Sequence, residues 1–265
     1  MRIISFFLPF FSILAGGAGF FIRSAELSSV FDRVTGLPAR GAFVTYALIV
    51  LTAAVLIAAV VFAIRTSVKY VSLDGFDNAF GTDGFSYPIA FTVIGVVWFG
   101  AAVSRYLGFS SDGDVPATEL IFAILSVLSA VSLVFFAIEM YKNPRRKLVF
   151  ALSIVPTLFM CFWLVVLYRE NASNHILLIY AYQCLAIIAA TLGFYFTSGF
   201  VYGKSPVGKA IVSYVASIFF CMVTLADDHP LAIRLVFVAI VAVNVLYSSM
   251  LVSNLQRKTQ IGEFR

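Results

Sequence analysis

Charge is scarce in this 265-residue chain: only 12% of its residues are Asp, Glu, Lys or Arg, about half of the roughly 25% usual in soluble domains. With 62% hydrophobic residues and a mean hydropathy of +1.01, too little polar surface remains to clothe a soluble domain. Cysteine is nearly as sparse. Cys161, Cys184 and Cys221 form no C-x-x-C pair and no even, loop-borne pattern, which excludes a disulfide framework and zinc-site spacing. Met160 and Met222 adjoin two of them, a soft donor set suited to Cu(I), but lone cysteines in apolar runs serve as small fillers. The two histidines, His175 and His229, flank runs and lie too shallow for a bis-His haem. No metal and no cofactor is therefore assigned. H-E-x-x-H, G-x-S-x-G and the P-loop pattern are all missing, and no acidic pair falls at mid-membrane depth. No catalytic residue is assigned.

Long apolar runs are what the chain has instead. A helix rising about 1.5 Å per residue needs about 20 apolar residues to cross about 30 Å of hydrocarbon. The runs near 3–22, 42–64, 87–107, 117–141, 147–168, 175–200, 207–226 and 230–254 all qualify. Lipid leaves exposed backbone N–H and C=O groups unsatisfied, so such runs must be helices, and their continuity excludes the alternation of a barrel strand. The expected fold is an all-α integral membrane bundle of about eight transmembrane helices, one domain over 1–265.

Basic residues orient it, because positive charge stays on the cytoplasmic side. With both termini cytoplasmic, that side receives Arg2, Arg65 with Lys69, the Lys142–Lys147 cluster, Lys204 with Lys209, and Arg257, Lys258 and Arg265, two thirds of all Lys and Arg. Arg23, Arg33, Arg40, Arg105, Arg169 and Arg234 are assigned to outer joints, together with most acidic residues, among them Glu26, Glu119, Asp227 and Asp228. The formal net charge of +5 is thus a topology signal, and no nucleic-acid partner follows from it; the lipid bilayer is the expected partner. Arg2, the first run and the cluster Ala15, Gly16, Gly17, Ala18, Gly19 imitate a cleaved signal peptide, which would leave seven helices. Phe20, Phe21 and Ile22 continue the apolar run, so it is read as an uncleaved span whose small residues let two helices approach closely.

Short joints make successive helices antiparallel neighbours. Proline and acid start signals at Pro88, Pro116, Pro206 and Pro230 recur at corresponding positions of a 4+4 division, 1–146 and 147–265, and admit a parallel duplication. They are also ordinary helix starts. The longer joint at 65–87 holds Asp74, Asp77 and Asp83 off the calcium-loop spacing and reads as turns whose phenylalanines Phe76, Phe80 and Phe85 dip into the interface. Glu139 is read as an interfacial partner of Lys142, and the Asn171-Ala172-Ser173 sequon carries meaning only in a eukaryotic secretory setting. Phe31, Asp32, Thr35, Gly36, Leu37, Pro38, Arg40 and Gly41 resemble an outer F-D-x-x-T-G-L-P-x-R-G segment after the first helix of uncharacterised bacterial multi-pass membrane proteins. The resemblance covers the first quarter of the chain, implies no activity, and places it in a bacterial cytoplasmic membrane.

Uncharged polar residues gather in the C-terminal half. Tyr180, Cys184, Thr191, Tyr195 and Ser198 share one face of the sixth run, with Gln183 beside it. Ser213, Ser217, Cys221 and Thr224 share a face of the seventh, and Asn244 and Ser248 one of the eighth. Tyr180, Gln183, Thr191, Tyr195, Ser217 and Asn244 are the candidate ligand-binding residues, for passage or binding of a small, largely uncharged solute. The alternative is a non-transporting structural or regulatory membrane subunit in which the same stripes hydrogen-bond helices together. An intramembrane enzyme is the third reading, weakened because no nucleophile has a visible general base.

Overall fold

The computed structural model describes residues 2–31, 41–72, 76–82, 84–111, 115–141, 146–172, 176–204 and 206–257. The F-D-x-x-T-G-L-P-x-R-G segment over 32–40, His175, Ser173, Lys142, Arg145, the side chain of Glu139 and residues 258–265 lie outside what is described. Among the described residues the chain forms α1 (Arg2–Ser29), α2 (Phe43–Lys69), the two-residue strand β1 (Tyr70–Val71), the short α3 (Phe76–Phe80), α4 (Ser86–Ser111), α5 (Ala117–Tyr141), α6 (Arg146–Glu170), α7 (Leu177–Val201), α8 (Val207–Thr224), α9 (Leu231–Asn254) and β2 (Gln256–Arg257). Eight of these helices, all but α3, are long and apolar enough to cross a bilayer. The protein is an all-α multi-pass membrane bundle. The span ends fall within a few residues of the expected ones, with one consequential exception: α1 runs on to Ser29, carrying Arg23 and Glu26 into the helix.

We call the end where α1 begins and α9 stops the near end and the opposite one the far end. Helices α4, α5, α6, α7, α8 and α9 follow one another around a ring, α9 closing it against α4, while α1 and α2 pack on the outside of α8. α8 is therefore enclosed, with nearly every side chain buried. The interior of the ring is aromatic. Trp98, Phe159, Phe122, Trp163 and Phe237 make a continuous chain of ring contacts across α4, α5, α6 and α9, with centroids 4.9 to 5.7 Å apart. The indole N–H of Trp98 is not wasted in this setting, since it donates to Ser126 Oγ at 3.0 Å.

α1 and α8 run parallel in a tight register set by glycine. A Cβ at Gly16 would lie 2.7 Å from Met222 Cβ, and one at Gly19 would lie 2.6 Å from Val223 Cγ2. No larger residue fits either place without moving the helices apart, the use of small residues expected where no water-driven effect presses helices together. The helix pairings of 1–146 and 147–265 match in part: α1–α2 and α4–α5 correspond to α6–α7 and α8–α9, whereas α2 and α4, separated in sequence by α3 and its flanking chain, lack the close packing of their counterparts α7 and α8.

That separating segment closes the near end. Phe76, Ala79 and Phe80 of α3 are buried, with Phe80 fully so. Phe80 meets Phe200 of α7 and Tyr247 of α9 at 5.3 Å each, and Phe76 meets Phe136 of α5 at 5.5 Å. Asn254 Nδ2 donates to the carbonyls of Ala79 and Gly81, satisfying the exposed end of so short a helix. Antiparallel pairing of Tyr70 with Arg257 and Val71 with Gln256 ties the chain entering α3 to the one leaving α9. Phe76 and Phe80, expected at the interface, thus reach further, into the ring itself, whereas Phe85 is exposed.

Candidate functional site

The most unusual chemistry lies at the far end, and it is built on residues assigned to loops by charge alone. Arg23 and Glu26 occupy the last two turns of α1 with both side chains fully buried, and Asp227 follows α8 with its side chain 9% exposed. The parallel α1–α8 register places them: one turn beyond the Gly19–Val223 contact the same faces carry Arg23 and Asp227. Arg23 Nε donates to Asp227 Oδ1 at 2.8 Å, Nη1 to Glu26 Oε2 at 2.7 Å, and Nη2 to the carbonyls of Leu178 and Ile179 at 3.2 and 3.0 Å. Its guanidinium also lies 5.3 Å from the ring centroid of Tyr182. One side chain so anchors α1 to α7 and to the α8–α9 connection. The carboxylates are less well served, because Glu26 Oε1 and Asp227 Oδ2 are buried without a hydrogen-bond partner. Burial pushes the Asp227 carboxyl up, and Glu26 adds to this, against the pull of Arg23. Beside it, burial holds His229 down to about 4, helped by Arg234 and opposed by Asp228.

A second ion pair joins α4 to α5 at the same end. Arg105 Nε and Nη2 donate to the two oxygens of Glu119, both at 2.9 Å, the bidentate geometry that guanidinium and carboxylate share. The guanidinium covers the Phe122 ring at 4.5 Å, and half-exposed Glu170 stands off at 4.0 Å.

The six polar candidates do not converge on one site. Asn244 and Ser217 are buried and joined directly, Asn244 Nδ2 donating to Ser217 Oγ at 3.1 Å and to the Ile240 carbonyl at 2.9 Å. A Cβ at Gly193 of α7 would come within 2.8 Å of Asn244 Oδ1, so α7 presses a bare backbone against this pair. Thr191 is half-buried and bonds back to the Ile187 carbonyl of its own helix, and Gln183 is half-buried. Tyr180 lines a separate apolar groove of about 390 Å³ with Leu164, Leu167 and Cys184. Tyr195, expected to point inward, is 57% exposed and turns outward; the inner face of α7 at that level belongs to Phe194, Thr197 and Ser198. Thr197 Oγ1 and the Tyr214 hydroxyl share a hydrogen bond of 2.6 Å, and Ser198 Oγ donates to the Ser153 carbonyl of α6 at 2.6 Å. Among the described residues no group of three or more His, Cys, Asp or Glu is placed to hold a metal ion.

Arg23, Glu26 and Asp227 escaped the sequence reading as a site because each ends an apolar run, where a charge ordinarily meets water. The available signal was spacing: Arg23 and Glu26 stand i,i+3, a helical pairing, directly beyond a small-residue face. No family model, curated protein or solved structure matches this chain.

Proposed function

We propose that the chain is a non-transporting structural or regulatory subunit of a bacterial cytoplasmic membrane, its near end and both termini on the cytoplasmic side. One observation carries the reading: apart from Asn244 Oδ1 and Thr224 Oγ1, which are buried without a partner, the buried polar stripes spend their hydrogen bonds on one another and on helix backbone, in a bundle whose ring interior is filled by aromatic side chains and stopped at the near end by Phe80. A solute pathway needs inward polar groups that face space, and a ligand site usually offers about 300 Å³ or more. The groove of that size beside Tyr180 is apolar and lies between α6 and α7 on the outside of the ring. The charge asymmetry between the two ends supports the orientation.

The test is a flux measurement on proteoliposomes loaded with a panel of small uncharged solutes, paired with thermal unfolding of Asn244→Ala. The expected result is leakage no faster than from empty vesicles and a small fall in melting temperature. Solute-selective flux that Asn244→Ala abolishes while leaving the melting temperature unchanged would restore the solute-binding reading. Sidedness is tested separately, with single cysteines at Asp112 and Lys258 in a background lacking the native cysteines. Labelling of Asp112→Cys but not Lys258→Cys by an impermeant thiol reagent on intact cells is expected, and the reverse pattern inverts the topology.

A further inference from the structure

We propose that the Arg23, Glu26 and Asp227 cluster is a proton-binding site, in which the Asp227 carboxyl, facing the excess negative charge of Glu26, holds one proton and exchanges it with the far-end aqueous phase. The argument begins with charge. One guanidinium faces two carboxylates, all three nearly or wholly out of water, so the ionised cluster holds one negative charge in excess away from solvent, where an uncompensated charge is costly.

Nothing else among the described residues balances it. From α7 the cluster meets the ring of Tyr182, which brings no positive charge. From the α8–α9 connection it meets His229, which burial keeps neutral above about 4. Arg234 of α9 is committed to exposed Asp228 at 3.1 Å. A multidentate metal ion is not indicated either, since among the described residues no third His, Cys, Asp or Glu joins the two carboxylates.

Hydrogen bonding points the same way. Each carboxylate spends one oxygen on Arg23 and leaves the other, Glu26 Oε1 and Asp227 Oδ2, buried and unpartnered. An ionised carboxylate only accepts, whereas a protonated one carries an O–H donor. A single proton removes the excess charge and with it most of the cost of leaving a buried carboxylate oxygen unpaired, since a neutral acid is far less costly to bury than an ion. Glu26 is fully enclosed, and the small exposed fraction of Asp227 gives the proton its route to water. Burial raises the Asp227 carboxyl, as such a site requires.

Protonation then sets how firmly α1 is held. A carboxyl whose folded pKa is raised binds more protons in the native than in the unfolded state. Its contribution to stability is therefore full below the unfolded carboxylate value, about 3.9, and is lost as pH rises through the folded value. His229 has the opposite sign: lowered from 6.5 to about 4, it costs stability as pH falls through that window. The two are separated by working in a His229→Gln background.

The test uses the full-length chain in nanodiscs. Infrared spectra of protein with heavy-isotope-labelled Asp or Glu should show the carbonyl band of a protonated carboxylic acid near neutral pH, lost in Asp227→Asn or in Glu26→Gln. In the His229→Gln background, melting temperature should fall as pH rises, and either carboxamide should flatten that slope while staying at least as stable at neutral pH. The double variant, which leaves Arg23 unbalanced, should be less stable than either single. Absence of the acid band from the wild-type protein overturns the proposal, and this readout needs no variant to fold. So does a melting temperature that follows Na⁺ concentration instead of pH, or one flat in both, or single carboxamides as unstable as Arg23→Gln.

Discussion

Two arginines hold the far end together, and they differ in how their charge is met. Arg105 gives a bidentate fork to Glu119, whose two oxygens are both used, and the further acid in reach, Glu170, is half-exposed. Arg23 divides its fork between two buried carboxylates and two backbone carbonyls, and leaves an oxygen of each carboxylate without a partner. The first arrangement is a closed clamp between adjacent helices α4 and α5. The second joins elements far apart in sequence and stays incomplete without another positive charge. Burial of charge is thus not by itself a sign of function. A buried cluster whose charges and acceptors fail to balance is.

The comparison can be tested by removing each arginine. Arg23→Gln leaves two buried carboxylates unpaired and should cost about 3–5 kcal/mol, the range for breaking a buried ion pair, seen as a large fall in melting temperature or loss of folded protein. Arg105→Gln should cost less, because one buried carboxylate, Glu119, is left unpaired there and not two, and the second acid, Glu170, is half-exposed. Equal losses would mean that the extra carboxylate at Arg23 is immaterial. Phe80→Ala belongs to the same range, about 3–5 kcal/mol for a large-to-small aromatic change, and should leave the far end intact: the pH response of the Arg23 cluster is expected to persist in that variant.

Carboxamide substitution should separate the clusters by direction. Glu119→Gln loses a bidentate partner of Arg105 and should destabilise by about 1–3 kcal/mol, whereas Asp227→Asn should be neutral or stabilising at neutral pH. If both destabilise alike, the Arg23 cluster is a clamp of the ordinary kind. The smallest effects belong to the polar stripe. Asn244→Ala should lower stability by about 0.6 kcal/mol, the mean for a hydrogen bond between membrane helices. Tyr195→Phe, altering a group that faces outward, should leave unfolding unchanged, and a measurable loss there would show a partner for its hydroxyl.

Composition and run length alone dictate the eight spans, because the requirement to satisfy backbone groups in lipid leaves no other structure for twenty consecutive apolar residues. The small-residue face of α1 was also legible, since close helix approach has a local signature in Gly16 and Gly19. Orientation of side chains was not. In water, polarity tells inside from outside, but acyl chains are as apolar as a protein core, so the face of α7 bearing Tyr195 and the one bearing Phe194 read alike. The placement of Arg23 was beyond local reading for a related reason. Its charge marks an end of the hydrophobic run unless something neutralises it, and what does so is Asp227, 204 residues away, with carbonyls of α7 presented by a third helix. Hydrophobic length is a property of one segment. Compensation of a buried charge is a property of several segments at once, and it exists only where packing has brought them together.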